Sequence, residues 1–294
     1  MTSITHTNSG NAIAVFSSHV VRGKVGNRAA AFALETLGFD VWAVPTIIMP
    51  WHPGHGPSHR FTMPSADFVS TVDALADGPF AGDISAVLSG YLGSPEQAGI
   101  IAGFVDRLRA RNGNCLYVCD PVIGDDGGLY VPEATAAAMR DILLPRANVA
   151  TPNLFELSWL TGGDAAFTPA EVMAQAQSIA PETVLVTSAP AMMRGHMANL
   201  LVQDSQAFAV EHRVLGSVPN GTGDLTAALL TAHRLRGAPL AKQLAMTSSA
   251  VFALLTRTQR RQRDELTLAE DYHLLSRPGI DVPVRQMMLT EKSA

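Results

Sequence analysis

The residues best placed to do chemistry lie in Val218–Leu230, VPNGTGDLTAALL, where two glycines and a threonine directly precede an acid that opens an apolar, helix-prone run. A solvated helix start would need only a cap. A helix N-terminus offers unpaired N–H groups and a partial positive charge, so it stabilises an anion. Gly221 and Gly223 let that backbone approach a phosphoryl group with no Cβ in the way. Asp224 is then oddly placed, because its charge repels phosphate, unless it takes a proton from an attacking hydroxyl. An anion hole beside a base is the logic of phosphoryl transfer. A first-turn acid also complements the helix dipole with no catalytic role, so the stretch alone leaves both readings open.

Such a motif needs a scaffold that delivers a helix start to a cleft, and the chain supplies one. Strand-like runs (AIAVFS, VWAVP, AVLSG, CLYVCD, NVATP, TVLVTS) alternate with helix-like segments such as NRAAAFALETLG and TPAEVMAQAQSIAP. This alternation predicts an α/β fold with a parallel sheet covered by helices on both faces. SPEQAGIIAGFVDRLRARNG reads as a helix capped by Ser94 with Pro95 just inside. MANLLVQDSQAFAVEHRV reads as a hairpin turning at Asp204-Ser205, and PLAKQLAMTSSAVFALLTRT as a long helix after the glycine-opened one. There is no internal repeat. We expect one domain over 12–280, a loose N-terminal tail over 1–11 and a C-terminal tail over 281–294.

Composition narrows the partners. With 294 residues, 47% of them hydrophobic, the chain can bury a large core. The formal charge of -5 gives no general pull toward nucleic acid or an anionic membrane, which leaves small molecules or a second copy of the chain. Cys115 and Cys119 lie four apart on one strand, so they share a face but are too far apart along it to bond, which fits a reducing cytoplasm. No run of about 18 apolar residues and no signal-peptide pattern is present.

Other chemistries fail on their residues. The G-x-x-x-x-G-K-[ST] loop and the protein-kinase signatures are absent. His52, His55 and His59 in WHPGHGPSHR have no element that fixes their spacing and no cysteine or acid beside them, which argues against a metal cluster. RTQRRQR reads as a solvated helix face.

GTGD opening a helix late in an α/β chain resembles the anion hole and base of the ribokinase-like superfamily, a three-layer αβα sandwich around a mostly parallel sheet. SSHVVRGKVGNRAAAFALETLGFDVWAVPT, LSGYLGS, CDPVIGDDGGLYVPE and TPNLFEL follow in the order found in pyridoxal kinases, and the likeness runs from about Ile13 to about Leu255. The resemblance implies phosphorylation of the 5'-hydroxymethyl group of pyridoxal or a related vitamer by ATP, with Mg²⁺, K⁺ as a candidate ion, and a homodimer. It assigns Asp224 as base and the amides of Gly221, Thr222 and Gly223 as the phosphate cradle. Asp120, Asp125 and Glu156 become metal and nucleotide ligands, with Thr151, Asn153, Thr187 and Ser188 as further nucleotide contacts. Tyr130 falls in a flap over the phosphates. Ser18, Thr46 and Tyr91 match positions on the vitamer side, where His52 is retained; Trp51 beside it, at a strand end where α/β folds place ligands, is flat and apolar enough to stack on a pyridine ring.

Two departures bear on substrate choice. Met49, Pro50 and Trp51 replace a familiar polar lining, while His52 remains. Asn220 stands where the family often has valine, and the flap GDDGGLYV is short. The rival readings are a hydroxymethylpyrimidine kinase and a non-catalytic pyridoxal 5'-phosphate carrier. An intact GTGD argues against the carrier, because binding alone needs no base.

Overall fold

The computed structural model describes residues 10–216 and 218–288. Most of the expected N-terminal tail, 1–9, lies outside them. Asn11 is already tied in: its side chain donates to Gly38 O at 2.8 Å, and its carbonyl accepts from Asp40 N at 3.2 Å.

The elements in chain order are β1 (Ala12–Arg22), α1 (Asn27–Thr36), β2 (Asp40–Trp51), α2 (Ser65–Asp77), β3 (Ile84–Ser89), α3 (Glu96–Asn112), β4 (Leu116–Cys119), the short β5 (Gly124–Asp125) and β6 (Gly128–Leu129), and α4 (Glu133–Ala138). They continue as β7 (Val149–Ala150), α5 (Leu154–Thr161), α6 (Pro169–Ala176), β8 (Thr183–Pro190), β9 (His196–Gln203), β10 (Gln206–Arg213), α7 (Thr222–Leu235), α8 (Leu240–Arg260) and β11 (Val284–Met287). Nine strands form one sheet in the order β11-β10-β9-β8-β7-β4-β3-β1-β2, parallel from β8 to β2 and antiparallel from β8 to β11. This is the three-layer, mostly parallel sandwich of the ribokinase-like fold.

β1 explains the layering. Ala12, Ala14 and Phe16 join Phe68 and Val72 of α2 and Ile101 and Phe104 of α3. Ile13 and Val15 belong to the opposite core, with Ala30 and Leu34 of α1, Leu229 of α7 and Leu254 of α8. A strand buried on both faces must be apolar at every position, which is why AIAVF reads as a continuous run. α5 and α6 complete the cover through Leu157, Val172 and Met173 against β8 and β9.

The structure corrects one boundary. The segment 281–294, expected as a tail, contains β11, which pairs with β10 from Val210↔Val284 to Ala207↔Met287. Four residues, VRQM, without strict alternation and after a glycine and two prolines, are too short a signal to stand out in the sequence. The hairpin does turn at Asp204-Ser205, between Gln203 and Gln206. Among the described residues no helix is long and apolar enough to cross a membrane.

Candidate active site

The parallel strands open at their carboxyl ends onto a cavity of about 580 Å³, within the range of small-ligand sites. β1 contributes Ser18 and β2 Met49; Tyr91 follows β3, Asp120 follows β4, Thr151 follows β7, and Thr187 lies on β8. The start of α7 closes the cavity with Asn220, Gly221, Gly223 and Asp224.

Local geometry makes α7 an anion site. Gly221 has φ 92°, a left-handed conformation, and a Cβ there would overlap the Lys24 carbonyl. Only glycine meets both demands. The helix ladder begins with Leu225 N donating to Gly221 O at 3.0 Å, so the amides of Thr222 and Gly223 have no intrahelical acceptor. The Thr222 hydroxyl turns away and donates to Pro219 O at 3.0 Å, closing the loop. Asp224 is half-buried on the cavity floor, and loss of water pushes its carboxyl up to about 6 against a hydrogen bond from the Gly26 amide. Asp120 is buried and is pushed up to about 7, first by burial and then by the charge of Asp224, while a 2.7 Å bond from Thr151 Oγ1 opposes the rise.

The second acid cluster is knitted into the backbone. Asn153 and Glu156 form a reciprocal cap on α5: Glu156 N donates to Asn153 Oδ1 at 2.8 Å and Asn153 N to Glu156 Oε2 at 2.8 Å. Glu156 Oε1 also accepts from Ile123 N at 3.0 Å, and Asn153 Nδ2 donates to Gly124 O at 2.8 Å, so the cap staples the β5–β6 flap to α5. Burial, and then Asp120, push the Glu156 carboxyl well above the usual range despite those amides. In the flap, Tyr130 donates its hydroxyl to Asp125 Oδ2, and Gly127 N donates to Asp125 Oδ1 at 2.8 Å.

Among the described residues no group of three His, Cys, Asp or Glu side chains gathers to hold an ion. Both oxygens of Asp125 accept bonds within its own hairpin, as both oxygens of Glu156 accept backbone amides, and each carboxylate keeps further lone pairs for an ion. Asp120 and Glu156 still face the cavity together, and one or two carboxylates beside phosphates and water are what Mg²⁺ requires.

The opposite wall is a loop. His52 Nδ1 accepts from Gly54 N at 3.0 Å, which leaves the ring proton on Nε2; burial, with nearby His55, holds its pKa below the usual histidine value. His55 Nε2 bonds Glu265 Oε1 at 2.8 Å, and Glu265 Oε2 accepts from Lys24 N at 2.9 Å. Glu265, just beyond α8, thus ties this loop to the segment that supports Gly221. Neither Glu265 nor Arg60, which also lines the cavity, carries a sequence signal of its own. Asn220 approaches Gly54 so closely that a Cβ there would lie 2.9 Å from its Nδ2. The amide that replaces valine therefore joins the α7 loop to the His52 loop.

Three expected contacts fall elsewhere. Thr46 is fully buried beneath the wall and donates to Tyr91 O at 2.6 Å. Trp51 ends β2 pointing out of the cavity, with its Nε1 donating to Gly56 O at 3.2 Å, so the indole braces the loop from outside. Ser188 is exposed at φ 57°, where β8 slips register against β9. Thr222, expected through its amide, keeps that amide outside the helix ladder while its hydroxyl bonds the main chain. The remaining expected residues, Ser18, His52, Tyr91, Asp120, Asp125, Tyr130, Thr151, Asn153, Glu156, Thr187, Gly221, Gly223 and Asp224, line one cavity.

Fold and site together define a phosphotransferase of the ribokinase-like class, and the chain belongs to the phosphomethylpyrimidine kinase family, whose model matches residues 60–263. Within that class its relatives are pyridoxal kinases. It is 35% identical to the pyridoxal kinase PdxY of Corynebacterium diphtheriae over 275 residues, covering 92% of this chain and 97% of the relative. It is 37% identical to the PdxY of Rubrobacter xylanophilus over 277 residues, covering 92% and 95%. The pyridoxal kinase of Leishmania donovani, solved with ADP and pyridoxine, superposes with a TM-score of 0.88 at 28% identity, covering 95% of this chain and 99% of that one.

Proposed function

We propose that the chain transfers the γ-phosphoryl group of ATP to the 5'-hydroxymethyl group of pyridoxal, giving pyridoxal 5'-phosphate and ADP. One observation carries this reading: Asp224, a carboxyl tuned to about 6, stands one residue from unpaired helix amides on the floor of a two-ended cavity. Asp224 takes the proton of the acceptor hydroxyl as its oxygen bonds to the γ-phosphorus and the bridge to the β-phosphate breaks. The amides of Thr222 and Gly223 hold the charge on the transferring group. Asp120 and Glu156 would hold Mg²⁺, which neutralises phosphate charge when bound. Thr151, Asn153 and Thr187 lie on the β7–β8 side as the nucleotide wall; Ser18, His52 and Tyr91 lie on the β1–β3 side as the acceptor wall. K⁺ and a homodimer rest on the family resemblance alone.

The family description favours a second reading, phosphorylation of a hydroxymethylpyrimidine. Both acceptors present a hydroxymethyl group on a flat heteroaromatic ring. ADP release measured with pyridoxal, pyridoxine, pyridoxamine, hydroxymethylpyrimidine and ribose separates them. Turnover highest with a pyridine vitamer supports the proposal, and turnover confined to the pyrimidine replaces it.

A further inference from the structure

The cavity is unevenly charged. Asp120, Asp125, Glu156 and Asp224 reach it, and against these four carboxylates Arg60 is the only Lys or Arg among the described lining residues. No acid pairs with Arg60 among the described residues. Its Nη1 donates to Tyr91 Oη at 3.3 Å, a long bond to a neutral phenol, which leaves most of its five donors unused. The backbone beneath it is fixed. Phe61 exchanges two hydrogen bonds with Ile48 of β2, at 2.9 and 2.8 Å, and Ser58 Oγ donates to Trp51 O at 3.1 Å. The guanidinium is exposed at the mouth of an acidic cavity, on an anchored loop, where it can meet an anion that arrives from outside.

Sheet order says which end of the ligand it meets. Arg60 is anchored on β2, and β8 stands five strands away, about 24 Å at about 4.8 Å per strand. Asp120, after β4, is three strands away, about 14 Å by the same spacing. The guanidinium, bonded to Tyr91 after β3, stands three strands from Thr187 on β8, so the nucleotide end of the cavity is remote from it. The neighbours of Arg60 are Tyr91 and His52, on the acceptor wall.

We infer that Arg60 determines acceptor specificity: its guanidinium receives the ionised ring hydroxyl of a 3-hydroxypyridine, an oxyanion that a ring without that hydroxyl does not offer. This rests on the function proposed above and names the feature of the substrate that the site selects. A 3-hydroxypyridine gives up its phenolic proton readily because the ring nitrogen takes one, so it presents an oxyanion to the fork of donors. A hydroxymethylpyrimidine carries a ring nitrogen at the matching position, a neutral acceptor that makes a weaker bond than an oxyanion. The same side chain therefore favours the 3-hydroxypyridine over the pyrimidine.

The test compares wild type, Arg60→Ala and Arg60→Lys on pyridoxine, 3-deoxypyridoxine and hydroxymethylpyrimidine, by turnover and by calorimetric binding. Arg60→Ala should lower kcat/KM and affinity for pyridoxine by about 10- to 100-fold, the range for a lost charge-assisted hydrogen bond. It should leave 3-deoxypyridoxine and the KM for ATP unchanged and should lower turnover of the pyrimidine far less than that of pyridoxine, while Arg60→Lys recovers part of the loss. An equal loss on pyridoxine and its 3-deoxy analogue, a rise in the KM for ATP, or no change on pyridoxine would each overturn the inference. Binding is read without turnover, so a wild-type protein that binds pyridoxine yet phosphorylates no acceptor sinks the proposed function and still decides the role of Arg60.

Discussion

Glu156 and Glu265 each tie two stretches of cavity wall together, at opposite ends of the site. Glu156 is buried and takes its partners from its own helix cap and from the flap about 30 residues earlier. Glu265 is partly exposed and joins His55 and Lys24, more than 200 residues away in sequence. The nucleotide wall is therefore rigid through backbone hydrogen bonds to buried acids, and the acceptor wall is a loop braced from a distance. A wall held by its own backbone suits a ligand of fixed shape, a triphosphate. A loop braced by a few side chains can be re-lined without disturbing the sheet, and Met49 and Asn220, which depart from the family pattern, both line the cavity.

The largest effect should come where the two walls meet. Asp224→Asn is expected to cut kcat by about 10²- to 10⁴-fold while ATP binding persists, because the amide keeps the shape and loses the base. In wild type, kcat/KM should fall as pH drops below about 6, because the carboxyl must be ionised to accept a proton and its pKa is raised to that value by burial. Near-normal turnover in the variant, or a flat profile down to pH 5, would take the role of base away from Asp224.

Glu156→Ala should act on the nucleotide wall and on stability together. Removing the carboxylate strands the amides of Ile123 and Asn153, a loss of roughly 3 kcal/mol at about 1–3 kcal/mol per buried unpaired donor. The Mg²⁺ concentration for half-maximal rate should rise more than the KM for pyridoxal does. A Mg²⁺ titration that superimposes on wild type would leave Glu156 as a structural cap only.

Glu265→Ala should do the reverse, raising the acceptor KM several-fold through a loosened His52–His55 loop while the KM for ATP stays put. Glu265→Gln keeps an acceptor for the Lys24 amide and should recover most of the difference. If both constants rise equally, Glu265 supports the whole fold and the contrast between the walls is lost. Trp51→Ala should have the smallest effect, within about twofold on either KM, because the indole faces away from the cavity and one surface hydrogen bond contributes about 1 kcal/mol or less.

What the sequence made legible follows the same division. The reciprocal cap of Asn153 and Glu156 is written within four residues, and the glycines of GTGD announce a backbone that a Cβ would block. The core strands declare themselves because both faces are buried. Glu265 and Arg60 gave no sign, because their meaning depends on which loops the folded chain brings beside them. Trp51 misled for a related reason. Residues at the end of a strand alternate between facing the cavity and facing away, and without the register of β2 the side of Trp51 cannot be known.

The most direct test of the account follows the phosphoryl group itself, using ATP with radioactive phosphorus at the γ position, unlabelled pyridoxal and Mg²⁺. The account predicts label in a product that co-elutes with pyridoxal 5'-phosphate, formed in step with ADP by wild type and nearly absent with Asp224→Asn. Label released only as inorganic phosphate, or transferred to hydroxymethylpyrimidine and never to pyridoxal, would contradict it.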